Sequence, residues 1–500
     1  MKYILYLVGI LTIIGCQSEK EKEAKPNIVL LFTDDQTYAS INALGNKEVS
    51  TPNMDRLVNE GVTFVNAFNM GGWNGAVCIA SRSMMNSGRS VWRAYQLEQD
   101  WKAGEKLDET LGSLLRSGGY NTYMTGKWHI QAPSDSLFDI VKHERPGMPG
   151  DRWGVGGEGK HVHEAFANGE DLDAVMPIGY NRPKHEDDTS WLPDDPSHGG
   201  FWEGGKHWSE VVKENAISFI SDASDKTEPF FMYLAFNAPH DPRQAPREFV
   251  DMYDETSIAV PESFMPEYTY KDDIGNGPTL RDEALAPFPR TEYAVRVHRK
   301  EYYALISHLD HQIGEILEAL KASGKMENTY VFFTSDHGLS VGNHGLIGKQ
   351  NMFDHSIRVP LMVMGPGIEA GGKRSQDVYL QDVMASSLEL AGVPKPSFVE
   401  FNSLMSIIAD ETKKGSYNSI YGCYVDYQRM IRKDGFKLIV YPQANKVLLF
   451  DLENDPNEMN DLSGDPDHRD MVKALFSELL DIQHEKEDPL DLSDMYNQWL

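Results

Sequence analysis

Two carboxylates stand side by side at Asp34-Asp35, and a third, Asp336, stands beside His337 far along the chain. Oxygen-rich sets of this kind suit a hard divalent cation such as Ca²⁺ or Mg²⁺. A second set is basic. Lys127 and His129 flank Trp128, so an extended backbone presents both on one face. His240 and Lys349 add two more donors, and Lys349 follows Gly345-Leu346-Ile347-Gly348, whose glycines let backbone approach a ligand closely. Several cations and N–H donors around one point suit a tetrahedral oxyanion or its monoester. Between these sets, the stretch Ala76-Val77-Cys78-Ile79-Ala80-Ser81-Arg82 places a thiol four residues before a guanidinium. Each group alone also fits a solvated turn or a structural role; what sets them apart is where they fall.

They fall at or just after the ends of buried strands. Residues 28–33, 121–125, 230–236 and 330–335 are apolar, β-rich runs of the kind buried on both faces. They lead into Asp34-Asp35, Lys127 and His129, His240, and Asp336-His337. Helical periodicity appears over 110–118, at the end of a helix over 215–220, and over 300–323, where Tyr303, Ile306, Ile313, Ile316, Leu317 and Leu320 recur near helical spacing. Strands alternating with helices predict an α/β fold: a large, mixed, mostly parallel sheet sandwiched by helices. In open parallel sheets, ligands bind at the carboxyl edge. Four separate strands ending on such residues therefore predict one assembled site. Residues 133–208 and 251–290 lack a sustained period and read as long insertions; the first, rich in Gly, Pro, His, Asp and Trp, reads as a wall around the site mouth. From about 416 the texture changes to a hairpin, 429–432 and 436–441 around Asp434-Gly435, then a strand at 447–450 and a helix over 467–484.

The chain has 500 residues, 40% apolar and 25% charged, with a formal net charge of −29. That balance argues against binding nucleic acid or an anionic membrane surface, and it requires any anion site to be locally basic. Three cysteines, Cys16, Cys78 and Cys423, build no disulfide framework; Cys423 reads as a buried, inert thiol. At the start, Lys2 precedes an apolar stretch over 3–14, too short to span a bilayer, and Ile13-Ile14-Gly15-Cys16 resembles a bacterial lipobox. The expectation is a lipoprotein signal peptide at 1–15, a lipidated (palmitoylated) Cys16, and a charged tether at 16–26. This predicts a protein anchored by lipid in the bacterial cell envelope, on the periplasmic or outer-membrane surface.

The segments PNIVLLFTDDQ, VCIASRSMMNSGR, GYNTYMTGKWH, FNAPH and FFTSDHGLSVGNHGLIGK, in that order, resemble the type I sulfatases of the alkaline phosphatase superfamily. The resemblance covers roughly Pro26 to Pro394. It implies a catalytic domain at 27–395 and a small antiparallel α+β subdomain at 415–500. It further implies that Cys78 is oxidised to formylglycine (3-oxoalanine) and that Arg82 holds it. Asp34, Asp35, Asp336 and His337, with the oxidised Cys78, would bind one Ca²⁺. Lys127, His129, His240 and Lys349 would grip the sulfate. In the implied mechanism a hydrate oxygen of residue 78 attacks sulfur, His240 or Lys349 protonates the leaving oxygen, and the hydrate then collapses with help from His129. Many family members carry proline two residues after the cysteine; Ala80 resembles the form processed by anaerobic, radical-type maturases, which become an expected partner.

The insertions and the lipoprotein signal favour a sulfated carbohydrate as substrate. The run GGWNGAVCIASRSMMNSGRS resembles sulfatases acting on algal polysaccharides such as ulvan or carrageenan oligosaccharides. Trp202, with Trp153, Trp191 and Trp208, is a candidate for stacking on sugar rings. Arg89 and Arg93 are candidates for meeting neighbouring acidic groups. Two other functions compete: a phosphonate or phosphodiester hydrolase of the same superfamily, and a non-catalytic glycan-binding lipoprotein. The Asp/His ligands and Ser or Thr nucleophile of a two-metal phosphatase are not apparent.

Overall fold

A computed structural model describes residues 24–149, 153–154 and 157–499. The signal segment and Cys16 lie outside the described residues. The four apolar runs are adjacent strands of one nine-stranded sheet. Asn27–Thr33 lies at its centre, paired in parallel with Thr329–Ser335 on one side and Phe230–Ala235 on the other. Asn121–Lys127 continues in parallel beyond Phe230–Ala235, and Ile140–Arg145 follows at that edge. On the opposite flank the sheet turns mixed: Arg358–Met364 runs antiparallel to both Thr329–Ser335 and Val62–Phe68, and Gly372–Arg374 and Val378–Tyr379 pair in parallel with Val62–Phe68.

The alternation of side chains along these strands explains their apolar composition. Leu30, Phe32, Tyr233 and Phe332 pack on one face with Leu111 and Leu115 of the helix Leu111–Ser117 and with Val383 and Leu388 of the helix Asp382–Leu390. Val29, Leu31, Leu234 and Phe333 pack on the other, against Val212 and Phe219 of the helix Trp208–Ser224 and Ile306, Leu309 and Ile313 of the helix Glu292–Ala322. Both faces are covered, so neither can be polar. Each fully buried side chain of this size contributes about 1.5–3 kcal/mol of hydrophobic stabilisation.

A second sheet contains Ile420–Tyr424, Gln428–Lys433, Phe436–Tyr441 and Lys446–Asp451 as an antiparallel meander. Val472, Leu475, Phe476 and Leu479 of the helix Arg469–Lys486 pack in its core. Its fifth strand is Gly71–Gly72, which pairs in parallel with Ile420–Tyr424. That dipeptide follows Val62–Phe68 of the large sheet closely, so one continuous piece of chain joins the two sheets.

Several expectations change in extent. The strand at 121–125 runs to Lys127, and the helix at 300–323 begins at Glu292, where Thr291 caps it by accepting from the Ala294 N–H at 3.1 Å. The insertion at 133–208 holds more regular structure than its composition suggests, including Ile140–Arg145 and the helix Glu158–Asn168. The first is an edge strand without a buried face, and the second buries only Gly159, Val162 and Ala165, so neither has the apolar pattern that reveals an element. Among the described residues, no helix is long and apolar enough to cross a membrane.

Gly126 shows how tightly the site edge is packed. It has φ +93°, and a Cβ there would lie 1.8 Å from the Ala235 carbonyl oxygen of the neighbouring strand. Gly126→Ala should force these strands apart and cost on the order of 3 kcal/mol. Calorimetry should show a lowered Tm; an unchanged Tm would contradict the packing described.

Candidate active site

The helix Val77–Ser87 carries Cys78 in its first turn and Arg82 one turn later on the same face. Arg82 is fully buried and fastens this helix to three strand ends. Its Nε donates to Asp336 Oδ2 at 2.9 Å, Nη1 to the Lys127 carbonyl at 2.9 Å, and Nη2 to the Thr33 carbonyl at 3.5 Å. The guanidinium also lies 4.6 Å over the Phe32 ring. Cys78 Sγ is 3.3 Å from His129 Nδ1. Gly147 closes over that imidazole; a Cβ on it would come 2.1 Å from the ring.

The basic and acidic sets interlock. Lys127 Nζ ion-pairs with Asp34, and Lys349 Nζ donates to both oxygens of Asp35 at 3.0 and 2.9 Å. His240 donates its Nδ1–H to the Asp241 carbonyl at 2.6 Å, which leaves Nε2, 2.9 Å away, to accept from Lys349. Burial, with Lys127 and Arg82, pushes His129 down to about 3; burial and Lys349 push His240 well below its usual value. Both imidazoles are thus neutral near pH 7. Burial works to raise the Asp336 carboxyl, but neighbouring positive charge, that of Arg82 included, holds it below the usual carboxylate range. Burial lifts Asp35 well above that range even against Lys349, the mark of a carboxylate short of positive charge.

That shortage has a place. Asp34, Cys78, Asp336 and His337 each offer a ligand atom, all within 4.8 Å of one another, and Asp34, Asp35 and His240 form an overlapping set. His337 Nδ1 lies 3.0 Å from the Gly338 carbonyl and 3.2 Å from Asp35 Oδ1, so it carries the proton and Nε2 keeps a lone pair. Among the described residues, Nε2 of His337 and Oδ1 of Asp34 are both buried without a hydrogen-bond partner. Two buried acceptors facing each other with no donor are costly, and a divalent cation between them removes that cost. The residues present therefore fit a cation.

Above these groups opens a cavity of about 450 Å³, with Cys78, His129, His240 and Lys349 among its lining residues. Trp153, Arg281 and Asp282 add to its wall. Asp282 and Arg281 belong to the aperiodic stretch 251–290, which gave no sign of them. Asp282 Oδ1 accepts from Arg281 Nη1 at 2.6 Å; its Oδ2 accepts from Gln350 Nε2 at 2.7 Å and lies 3.4 Å from Lys349 Nζ. Three expected sugar contacts are not among the cavity's lining residues. Arg89 pairs with Glu109 and covers Phe398, Arg93 pairs with Glu400 at 2.7 Å and Glu487 at 3.1 Å, and Trp202 Nε1 donates to Gln244 Oε1 at 3.0 Å. Trp191 and Trp208 are likewise engaged, under Arg182 at 3.9 Å and Arg145 at 4.6 Å.

Residues 26–393 match the family described as Sulfatase, and residues 342–485 match the C-terminal region of N-sulphoglucosamine sulphohydrolase. The chain is 28% identical over 483 residues to an arylsulfatase of Clostridium perfringens, covering 91% of this chain and 94% of that one. It is 25% identical over 495 residues to an ulvan-active sulfatase of Formosa agariphila, covering 95% and 85%. A solved structure holding its substrate D-glucosamine-2-N,6-O-disulfate superposes with a TM-score of 0.67 at 22% identity, covering 93% of this chain and 99% of that one.

The cation fit is testable directly. Elemental analysis of the full chain after dialysis against Ca²⁺ should find one ion per chain, with a raised Tm. His337→Ala should weaken that binding at least about tenfold. Equal metal content in the variant would remove His337 from the ligand set.

Proposed function

The chain belongs to the sulfatase family and is a sulfuric ester hydrolase, and from that premise we propose that its substrate is a sulfated carbohydrate, an oligosaccharide from an algal polysaccharide of the ulvan or carrageenan type. The observation that carries the reading is the set of basic side chains around Cys78: His129 at 3.3 Å from its sulfur, with Lys349 and His240 lining the same cavity. The ulvan-active relative and the sugar-disulfate complex support a saccharide, and Trp153 in the wall supplies an aromatic face for one.

The family generally uses formylglycine and a divalent metal. Asp34, Asp35, Asp336, His337 and the residue at 78 would hold the metal, proposed to be Ca²⁺, whose chemistry when bound is to stabilise negative charge on oxygen. Oxidised to formylglycine, position 78 would supply a hydrate hydroxyl as nucleophile. Arg82 fixes the helix that carries it. Lys127, His129 and Lys349 offer their donors to the sulfate oxygens as charge builds on them. The leaving sugar oxygen needs a proton, and the Lys349–His240 pair holds one between Nζ and Nε2, 2.9 Å apart. Neutral His129, beside position 78, is suited to take a proton as the sulfated residue breaks down. Ala80 supports maturation by an anaerobic, radical-type enzyme, and Cys16 supports a lipid anchor in the cell envelope.

Two measurements test this. In protein co-produced with such a maturase, the peptide containing residue 78 should carry CHO in place of CH₂SH. Cys78→Ala should lower sulfate release from sulfated oligosaccharides by more than about 10³-fold; unchanged release would end the proposal. Phosphate and phosphonate esters, assayed in parallel, should turn over more slowly, and the reverse order would favour phosphonate or phosphodiester hydrolysis. A glycan-binding lipoprotein would bind the oligosaccharides without releasing sulfate. His240→Gln should cost about 10²-fold in kcat on a sugar sulfate but less than about tenfold on an activated aryl sulfate, which needs little help from an acid. Equal losses on both would remove His240 from leaving-group protonation.

A further inference from the structure

A second, much smaller cavity of about 50 Å³ is lined by Gly179, Trp191, His198, Asp241 and Arg243, and by Ile178, which is 38% exposed and brings one wall to solvent. Arg243 is only 2% exposed, and its Nε and Nη2 have no hydrogen-bond partner. Its one hydrogen bond among the described residues is with His298, where Nη1 lies 3.0 Å from Nδ1. His298 gives its Nε2–H to the Arg182 carbonyl at 2.9 Å, so Nδ1 is the acceptor and the ring is uncharged.

The acids nearby are already taken. Glu301 is held by Arg182 through two bonds of 2.7 Å each, and Asp241 is held by Arg281. Among the described residues, no carboxylate ion-pairs with Arg243. The Asp241 carboxylate attracts Arg243 but is already paired with Arg281, so two N–H groups of a buried guanidinium stay unbonded, which is costly, and arginine cannot shed its proton to escape that cost.

We propose that this cavity is a small-anion site, with Arg243 as its cation and chloride or a carboxylate as its occupant. The volume supports the size limit. A water needs roughly 10–15 Å³ of such space, so the cavity holds a halide or a carboxyl group but not a sulfated sugar ring. The site stands independently of the sulfatase reading. It touches the catalytic wall all the same, because Asp241 lines it while gripping Arg281 and accepting from His240.

The test is thermal unfolding of the full chain in sodium chloride, sodium formate and sodium gluconate at equal ionic strength; gluconate is too large to enter. Chloride should raise Tm over gluconate, saturably and on the order of 1–3 °C, and the rise should vanish in Arg243→Met. A matching rise with formate, competing with chloride, identifies a site for small carboxylates as well as halides; a rise with chloride alone identifies a halide site. Identical curves in all three salts overturn the proposal. Should Arg243→Met fail to fold, crystals of the unaltered protein soaked in bromide settle the matter: an anomalous peak within hydrogen-bonding distance of Arg243 is expected, and its absence overturns the site.

Discussion

The structure is organised around a charge balance that water cannot relieve. Asp34, Asp35 and Asp336 face Arg82, Lys127 and Lys349, and none of the six is more than 4% exposed. These charges pair with one another, with Asp282 also 3.4 Å from Lys349, and buried charge is tolerated only when so paired. Removing one partner leaves its opposite stranded, so these side chains hold each other in place. A divalent cation added to this set tips it positive. That is how a chain with a net charge of −29 offers an anionic ester somewhere to sit: the attraction is local, enclosed and short-ranged.

The sheet exists to bring those charges together. Thr329–Ser335, Asn27–Thr33, Phe230–Ala235 and Asn121–Lys127 are consecutive neighbours, all parallel, so their carboxyl ends open on one edge. Arg82 reaches from a fifth segment and bonds to three of those ends at once. The helix that carries Cys78 is therefore not docked on a surface; the Arg82 guanidinium ties it into the sheet edge.

This much was legible in the sequence because each strand carried two local signals together: a long apolar run and a polar residue where the run stopped. Asp336-His337 after Thr329–Ser335 is typical. The wall of the site was legible only in part: Trp153 stood in the stretch read as a wall, while the rest was hidden for a physical reason. Asp282 and Arg281 lie in a stretch with no period, where nothing along the chain says which way a side chain faces. Arg89, Arg93 and Trp202 show the opposite failing: their types suit a sugar, but residue type does not reveal that Glu109, Glu400 and Gln244 are closer partners. Ile140–Arg145 was missed because an edge strand that buries neither face has no need of the apolar run that advertises a strand.

The Gly71–Gly72 strand has a consequence in time. It lies just ahead of Cys78 and pairs with Ile420–Tyr424, a segment the ribosome delivers only after most of the chain has emerged. Until then, the second sheet cannot close beside the helix that carries Cys78. In the folded chain Cys78 is 2% exposed and lines a cavity of about 450 Å³. The order of synthesis thus leaves the segment just ahead of Cys78 without its strand partner until residues 420–424 have been made.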